Sequence, residues 1–171
     1  MTIQVDTREH KSEWERIRKQ FDKEGVEYFR KKLSVGDYID VSHPAVSVDR
    51  KKDLLELCMN VTQDHDRFRR ELLRAEQEGT QLIILVEHGK GITCLEDVYF
   101  WHNPRLDEME LAMIDGHPAK VQKHPKATDG PQLYRCLLTI SKRYHIRFEF
   151  CDKKHTGKKI VELLTWEVEA G

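Results

Sequence analysis

The apolar positions of this chain switch repeatedly between a period of two and a period near 3.6. Thr2-Ile-Gln-Val-Asp6 reads as a short strand ending in an acid. Trp14, Ile17 and Phe21 then recur at helical spacing, and Gly25 supplies a stop. Val26 to Lys31 is a second strand candidate. Tyr38-Ile-Asp-Val41 and Ala45-Val-Ser-Val48 form a hairpin turning through Ser42-His43-Pro44, and the second strand runs directly into Asp49-Arg-Lys-Lys-Asp53. Asp53 is placed to cap a helix carrying Leu54, Leu57 and Cys58. A further helix is predicted from Asp64 to Gln77, with Phe68, Leu72 and Ala75 on one side and Gly79 at its end. Gln81-Leu-Ile-Ile-Leu-Val-Glu87 has the unbroken apolar run of a strand buried on both faces.

From residue 89 to 130 the pattern is dense in turn signals, including Asn103-Pro104, Asp115-Gly116, His117-Pro118 and Asp129-Gly130-Pro131. The spacing predicts short helices over Leu95–Phe100 and Leu106–Met113, followed by a mobile loop through His117 to Asp129. Leu133 to Tyr144 returns to helix, Ile146 to Cys151 to strand, and Thr156 to Trp166 to a helix opened by a Thr cap. Strands and helices alternate throughout, which predicts an α/β architecture with a central mixed β-sheet flanked by helices. No Pro-, Gly- or Ser-rich linker divides it, so residues 1–171 are expected to form one domain, with a closing helix–strand–helix over 131–168.

Composition narrows the function. The chain has 39% hydrophobic and 35% charged residues, and no apolar run nears the roughly 18–20 residues needed to span a bilayer. The N-terminus lacks a signal-like apolar stretch, so a cytoplasmic protein with no membrane role is expected. Four scattered cysteines form no CxxC pair, and Cys94, His102, His117 and His124 match no standard zinc spacing. Twenty-nine Lys and Arg against 30 Asp and Glu argue against a protein that coats nucleic acid by bulk charge. They leave room for local recognition by the clusters at Arg67–Arg74, Lys120–Lys126 and Lys153–Lys159.

The acids at the strand ends are the candidate chemistry. Residues 49 and 51 share one face of their strand, and Asp37 at the start of the hairpin comes near Asp49 at its end. Asp6 can converge from the first strand. Carboxylates gathered in this way repel one another and raise one another's pKa, a conflict that a divalent ion with oxygen ligands resolves. Such an ion suits phosphodiester hydrolysis, with Lys51 orienting water or steadying developing charge.

Four blocks occur in order: Val5-Asp-Thr-Arg-Glu9, Val35-Gly-Asp-Tyr38, Val48-Asp-Arg-Lys51, and Arg67 with Glu71 on a helix. They resemble the nuclease domain of the XPF and Hef family of structure-specific endonucleases, within the restriction-endonuclease-like superfamily. The likeness is strongest over about residues 3–87. It implies a metal-dependent endodeoxyribonuclease acting on branched, forked or flapped DNA. It further implies metal binding by Asp37 and Asp49 with Asp6 a further acid of the site, catalysis by Lys51, magnesium or manganese as cofactor, and Arg8, Glu9, Arg50 and Arg67 supporting the site or holding phosphates. Asp49 stands where that family usually has glutamate, and Asp53 falls two positions before its trailing acid.

The resemblance also implies pairing with a second copy or a relative, and apolar Leu163, Leu164 and Trp166 fit a homodimer through late helices. The chain shows no tandem helix-hairpin-helix or helicase segment, so a stand-alone bacterial or phage-like form is expected, with a separate protein as possible DNA-targeting partner. A non-cleaving DNA-binding or dimerisation partner on the same fold is the alternative, disfavoured because Asp37, Asp49 and Lys51 are all present.

Overall fold

The structure is a computed structural model that describes residues 1–89 and 91–165. Its elements are β1 (Thr2–Val5), α1 (Lys11–Lys23), β2 (Glu27–Arg30), β3 (Tyr38–Asp40), β4 (His43–Lys51), α2 (Leu54–Thr62), α3 (His65–Gln77), β5 (Gln81–Glu87), β6 (Met109–Ile114), β7 (His117–Gln122), α4 (Gly130–Tyr144), β8 (Arg147–Cys151) and α5 (Thr156–Thr165). Among the described residues, six strands form one sheet in the order β2-β1-β3-β4-β5-β8, and β6 and β7 make a separate ribbon. The sheet is mixed, as expected. β3 pairs antiparallel with both β1 and β4, while β1 with β2, β4 with β5, and β5 with β8 are parallel.

Each face of the sheet is covered by helices. On one side Leu82, Ile84 and Val86 of β5 pack with Leu57 of α2, Phe68 and Leu72 of α3 and Leu133 and Leu137 of α4. On the other, Ile83 and Leu85 pack with Val46 and Val48 of β4, Ile17 and Phe21 of α1 and Ile160 of α5. Alternate residues of β5 thus serve opposite cores, which is why its sequence reads as an unbroken apolar run. Leu163 and Leu164 are 1% and 2% exposed within the second core. They therefore offer no outward apolar face for the expected dimer, and Trp166 lies outside the described residues.

The segment after β5 departs from expectation. Leu95–Phe100 holds only a short 3-10 turn over Glu96–Phe100, and the helix expected over Leu106–Met113 is instead a 3-10 turn at Pro104–Asp107 followed by β6. The expected loop after it contains β7, paired antiparallel with β6 in register Met109↔Gln122 to Ile114↔His117. The cause is the turn. Asp115 and Gly116 both take positive φ, 49° and 79°, and a two-residue loop of that hand matches the twist of paired strands. Alternation of Met109, Leu111 and Met113 with Glu110 and Ala112 then suits a ribbon better than a helix.

Candidate active site at the carboxyl edge of the sheet

Because β1, β4, β5 and β8 run the same way and β3 opposes them, the ends of the first four and the start of β3 meet at one edge. Asp6, Asp37, Asp49, Lys51 and Glu87 are carried there by adjacent strands. Asp37 is fixed by the hairpin itself: its N–H donates to the Val48 carbonyl at 2.9 Å, and its Oδ2 accepts the Arg50 N–H at 2.9 Å. Gly36 beside it takes φ of +66°, and a Cβ there would lie 2.2 Å from Ser47 Oγ, so this approach of β3 to β4 requires glycine.

Along β4, Asp49 and Lys51 face the α2–α3 side and Arg50 faces α1. Lys51 Nζ lies 2.7 Å from Asp49 Oδ2, with side chains 9% and 6% exposed. Apart from this ion pair, Asp49 Oδ2 is a buried oxygen with no hydrogen-bond partner. From α3, Glu71 reaches the same place, its Oε1 accepting the Gly36 N–H at 3.3 Å. These groups line a cleft of about 270 Å³, with Arg67 and Arg74 of α3 also on its wall.

The electrostatics follow from crowding. Loss of water pushes the Asp37 pKa well above the ordinary carboxylate range, and the charges of Asp49 and Glu9 push it further. Burial and then Asp49 likewise raise Glu71. For Lys51, burial works against the charged form, but Asp49, Asp37 and Glu71 more than reverse this and hold the ammonium protonated. Lys51 is the buried cation among these three carboxyl groups, while Arg8 and Arg74 on the cleft wall direct further positive charge at Asp37 and Glu71.

The other sequence-predicted residues divide by role. Asp6 does not share this cleft: its carboxylate accepts from the Arg8 side chain at 2.8 and 3.0 Å, from the Arg8 N–H at 2.6 Å and from the Leu33 N–H at 2.6 Å. Burial opposes its charge, but these donors outweigh burial and lower its pKa. With both oxygens so engaged, Asp6 braces the loop before β3. Arg8 is half exposed and lines the cleft, as does the exposed Arg67.

Glu9 and Arg50 form a buried pair at 2.6 Å. Arg50 also meets Glu87 at 3.3 Å, Tyr38 donates its hydroxyl hydrogen to Glu9 at 2.9 Å, and Arg16 and Thr156 complete the group at Glu87 Oε1. Arg50 is thus a support beneath the end of β4.

Glu71 and Arg74 were not assigned a role in the sequence. Their signal was helical phase: Arg67, Glu71 and Arg74 fall at i, i+4 and i+7, on one face of α3.

The ERCC4 domain profile matches residues 5–163, nearly the whole chain. The chain belongs to the ERCC4 domain family. The fold is similar to that of XPF from Aeropyrum pernix, with a TM-score of 0.60, 21% identity, and coverage of 96% of this chain and 63% of that one. It is also similar to the same organism's XPF in complex with DNA, with a TM-score of 0.60, 19% identity, and coverage of 98% and 68%. The chain therefore spans about two thirds of the length of these proteins. No match was found among curated proteins.

The donors of this ERCC4 domain suit a hard divalent cation by chemistry. They are hard carboxylate oxygens, and Asp49 Oδ2 is a buried oxygen with no partner beyond the Lys51 ammonium. Among the described residues no three His, Cys, Asp or Glu side chains converge as a finished shell. Two carboxylates completed by water and substrate oxygens are the usual arrangement for magnesium at phosphoryl sites. The scattered Cys94, His102, His117 and His124 form no metal cluster either. Among the described residues no helix is long and apolar enough to cross a membrane.

Proposed function

We propose that this ERCC4 domain is a divalent-metal-dependent DNA endonuclease acting at branched, forked or flapped DNA. The observation that carries the reading is the buried Asp49–Lys51 pair facing Asp37 and Glu71 in a cleft walled by arginines. Asp37 and Asp49 are the residues that would hold magnesium or manganese. The bound ion would supply polarisation of a phosphoryl oxygen and a bound water of lowered pKa.

The chain's own residues do the rest. Lys51, held charged by its acidic neighbours, places a fixed positive charge where the pentavalent phosphate gathers negative charge. Its ammonium also orients a water through its N–H groups. Arg67 and Arg74 can fork onto neighbouring phosphate oxygens and so align the scissile bond. Glu71, whose pKa is raised by burial and then by Asp49, holds a proton at the cleft wall more readily than an ordinary glutamate. Glu9, Arg50 and Glu87 fix the strand that carries the reacting pair.

Family membership supports the nuclease class, and one fold relative was solved as a complex with DNA. Cutting of a labelled fork in magnesium or manganese but not in EDTA is the test. A fork left intact in all three counters the reading.

A further inference from the structure

A second cavity, of about 600 Å³, opens at the same edge of the sheet, past the ends of β4, β5 and β8. Its volume is that of a small-ligand site, and the carboxyl ends of parallel strands are where open α/β sheets bind ligands. Leu55, Trp101 and Pro104 give it an apolar surface, and Lys52, Lys153 and Lys154 stand on its wall.

The hydrogen bonding decides which charge it offers. Its acids are already engaged. Asp53 caps α2 by accepting the Glu56 N–H at 2.8 Å, and Glu87 accepts from Arg16, Arg50 and Thr156. Asp152 accepts the Lys154 N–H at 2.7 Å and meets His155 Nδ1 at 2.8 Å. By contrast, among the described residues no carboxylate forms an ion pair with Lys52, Lys153 or Lys154. What remains for a ligand is an apolar surface beside three lysines without a close ion pair, of which Lys153 also feels the charge of Glu13. That combination fits a flat, mostly apolar ring joined to an anion, which is the chemistry of a nucleotide.

The cavity is also contiguous with the candidate active site. Lys52 follows Lys51 directly, and its N–H donates at 2.7 Å to Glu56, a residue of the catalytic cleft wall. The start of α2 thus separates the Asp49–Lys51 pair from this cavity, and a strand with its phosphate at that pair would need to cross it to enter. We propose that the cavity is a subsite for an unpaired nucleotide adjoining the scissile phosphate, with its base against Leu55, Trp101 and Pro104 and its phosphate on Lys52, Lys153 and Lys154. This rests on the nuclease reading for its neighbour, while its own chemistry is that of any nucleoside phosphate.

The test uses the full chain in EDTA, where no cutting occurs, and a labelled single-stranded oligothymidylate titrated at several salt concentrations. Lys153→Ala/Lys154→Ala keeps the Lys153 carbonyl that holds Arg16 and is compared with Lys142→Ala/Arg143→Ala, an equal charge change at the far end of α4. The subsite predicts that the first variant binds about tenfold more weakly, with a salt slope lower by about 1.4 for two lost phosphate contacts, and that the control matches wild type. Trp101→Phe removes the oligonucleotide's quenching of intrinsic fluorescence. Equal binding by the two double variants, or quenching unchanged in Trp101→Phe, overturns the proposal. Displacement of the oligonucleotide by thymidine monophosphate at matching concentrations assigns the cavity to free nucleotides and overturns its place on the strand. If the fork goes uncut but these titrations succeed, the nuclease reading fails alone. Normal cutting with unaltered binding by the lysine variant rejects the subsite alone.

Discussion

Lys51 Nζ sits 2.7 Å from Asp49 Oδ2 inside the protein, and the same carboxylate faces Asp37 and Glu71 through the shared cleft. A buried ammonium is costly unless neighbouring charges support it, and here three acids do so. Lys51→Ala removes the buried cation among them. Cleavage is expected to fall by about 100- to 1,000-fold, the range for losing one charge-stabilising donor. Single-turnover rates on a labelled fork check this; a variant within a few fold of wild type would remove Lys51 from the chemistry.

The raised pKa values of Asp37 and Glu71 predict a pH-dependent stability in the metal-free chain. Both hold their protons to higher pH folded than unfolded. Their favourable contribution is therefore full below the ordinary carboxylate range and is lost as pH rises through their folded values. Asp37→Asn removes one of these charges and keeps an oxygen for the Arg50 N–H. In EDTA it should melt above wild type at neutral pH, with the gap closing toward about pH 4, where an ordinary carboxylate protonates. Thermal melts across pH decide this, and magnesium should raise the wild-type Tm but not the variant's.

Asp6 gives a contrasting expectation. Its oxygens are held by Arg8 and Leu33, so Asp6→Asn should lower the melting temperature while leaving the magnesium midpoint close to wild type. Asp49→Asn should abolish the magnesium response. Calorimetric titration separates the two; equal loss in both would make Asp6 a direct ligand.

Beneath the site, Glu87 neutralises both Arg50 and Arg16. Glu87→Gln leaves Arg50 with Glu9 and Arg16 with Glu13 but removes the buried charge they share, and should cost about 3 kcal/mol. Denaturant melts measure it. A change below 1 kcal/mol, the scale of an exposed pair, would show that the network is dispensable.

Most of the frame was legible in the sequence, and the reasons lie in particular residues. β5 announced itself because Leu82 to Val86 serve both cores, and the α2 cap because Asp53 precedes an apolar run. The meeting of Asp37 with Asp49 followed from hairpin geometry and strand period. The ribbon of β6 and β7 was hidden because Leu106, Met109 and Met113 also fit a helical stripe. The Asp115-Gly116 turn was the stronger signal. In the site, the third carboxyl group of the cleft comes from Glu71 on α3, not from Asp6. Strand-end position alone did not distinguish them, since that depends on Arg8 folding back onto Asp6, a contact formed only by the tertiary loop.

The most direct measurement is a cleavage assay on a labelled fork and a matched linear duplex in magnesium, manganese and EDTA, with wild type beside Asp49→Ala and Lys51→Ala. Metal-dependent cutting of the fork in preference to the linear duplex is expected, absent from Asp49→Ala and strongly reduced in Lys51→Ala. Wild type that binds the fork equally with and without metal and never cuts it would contradict the account.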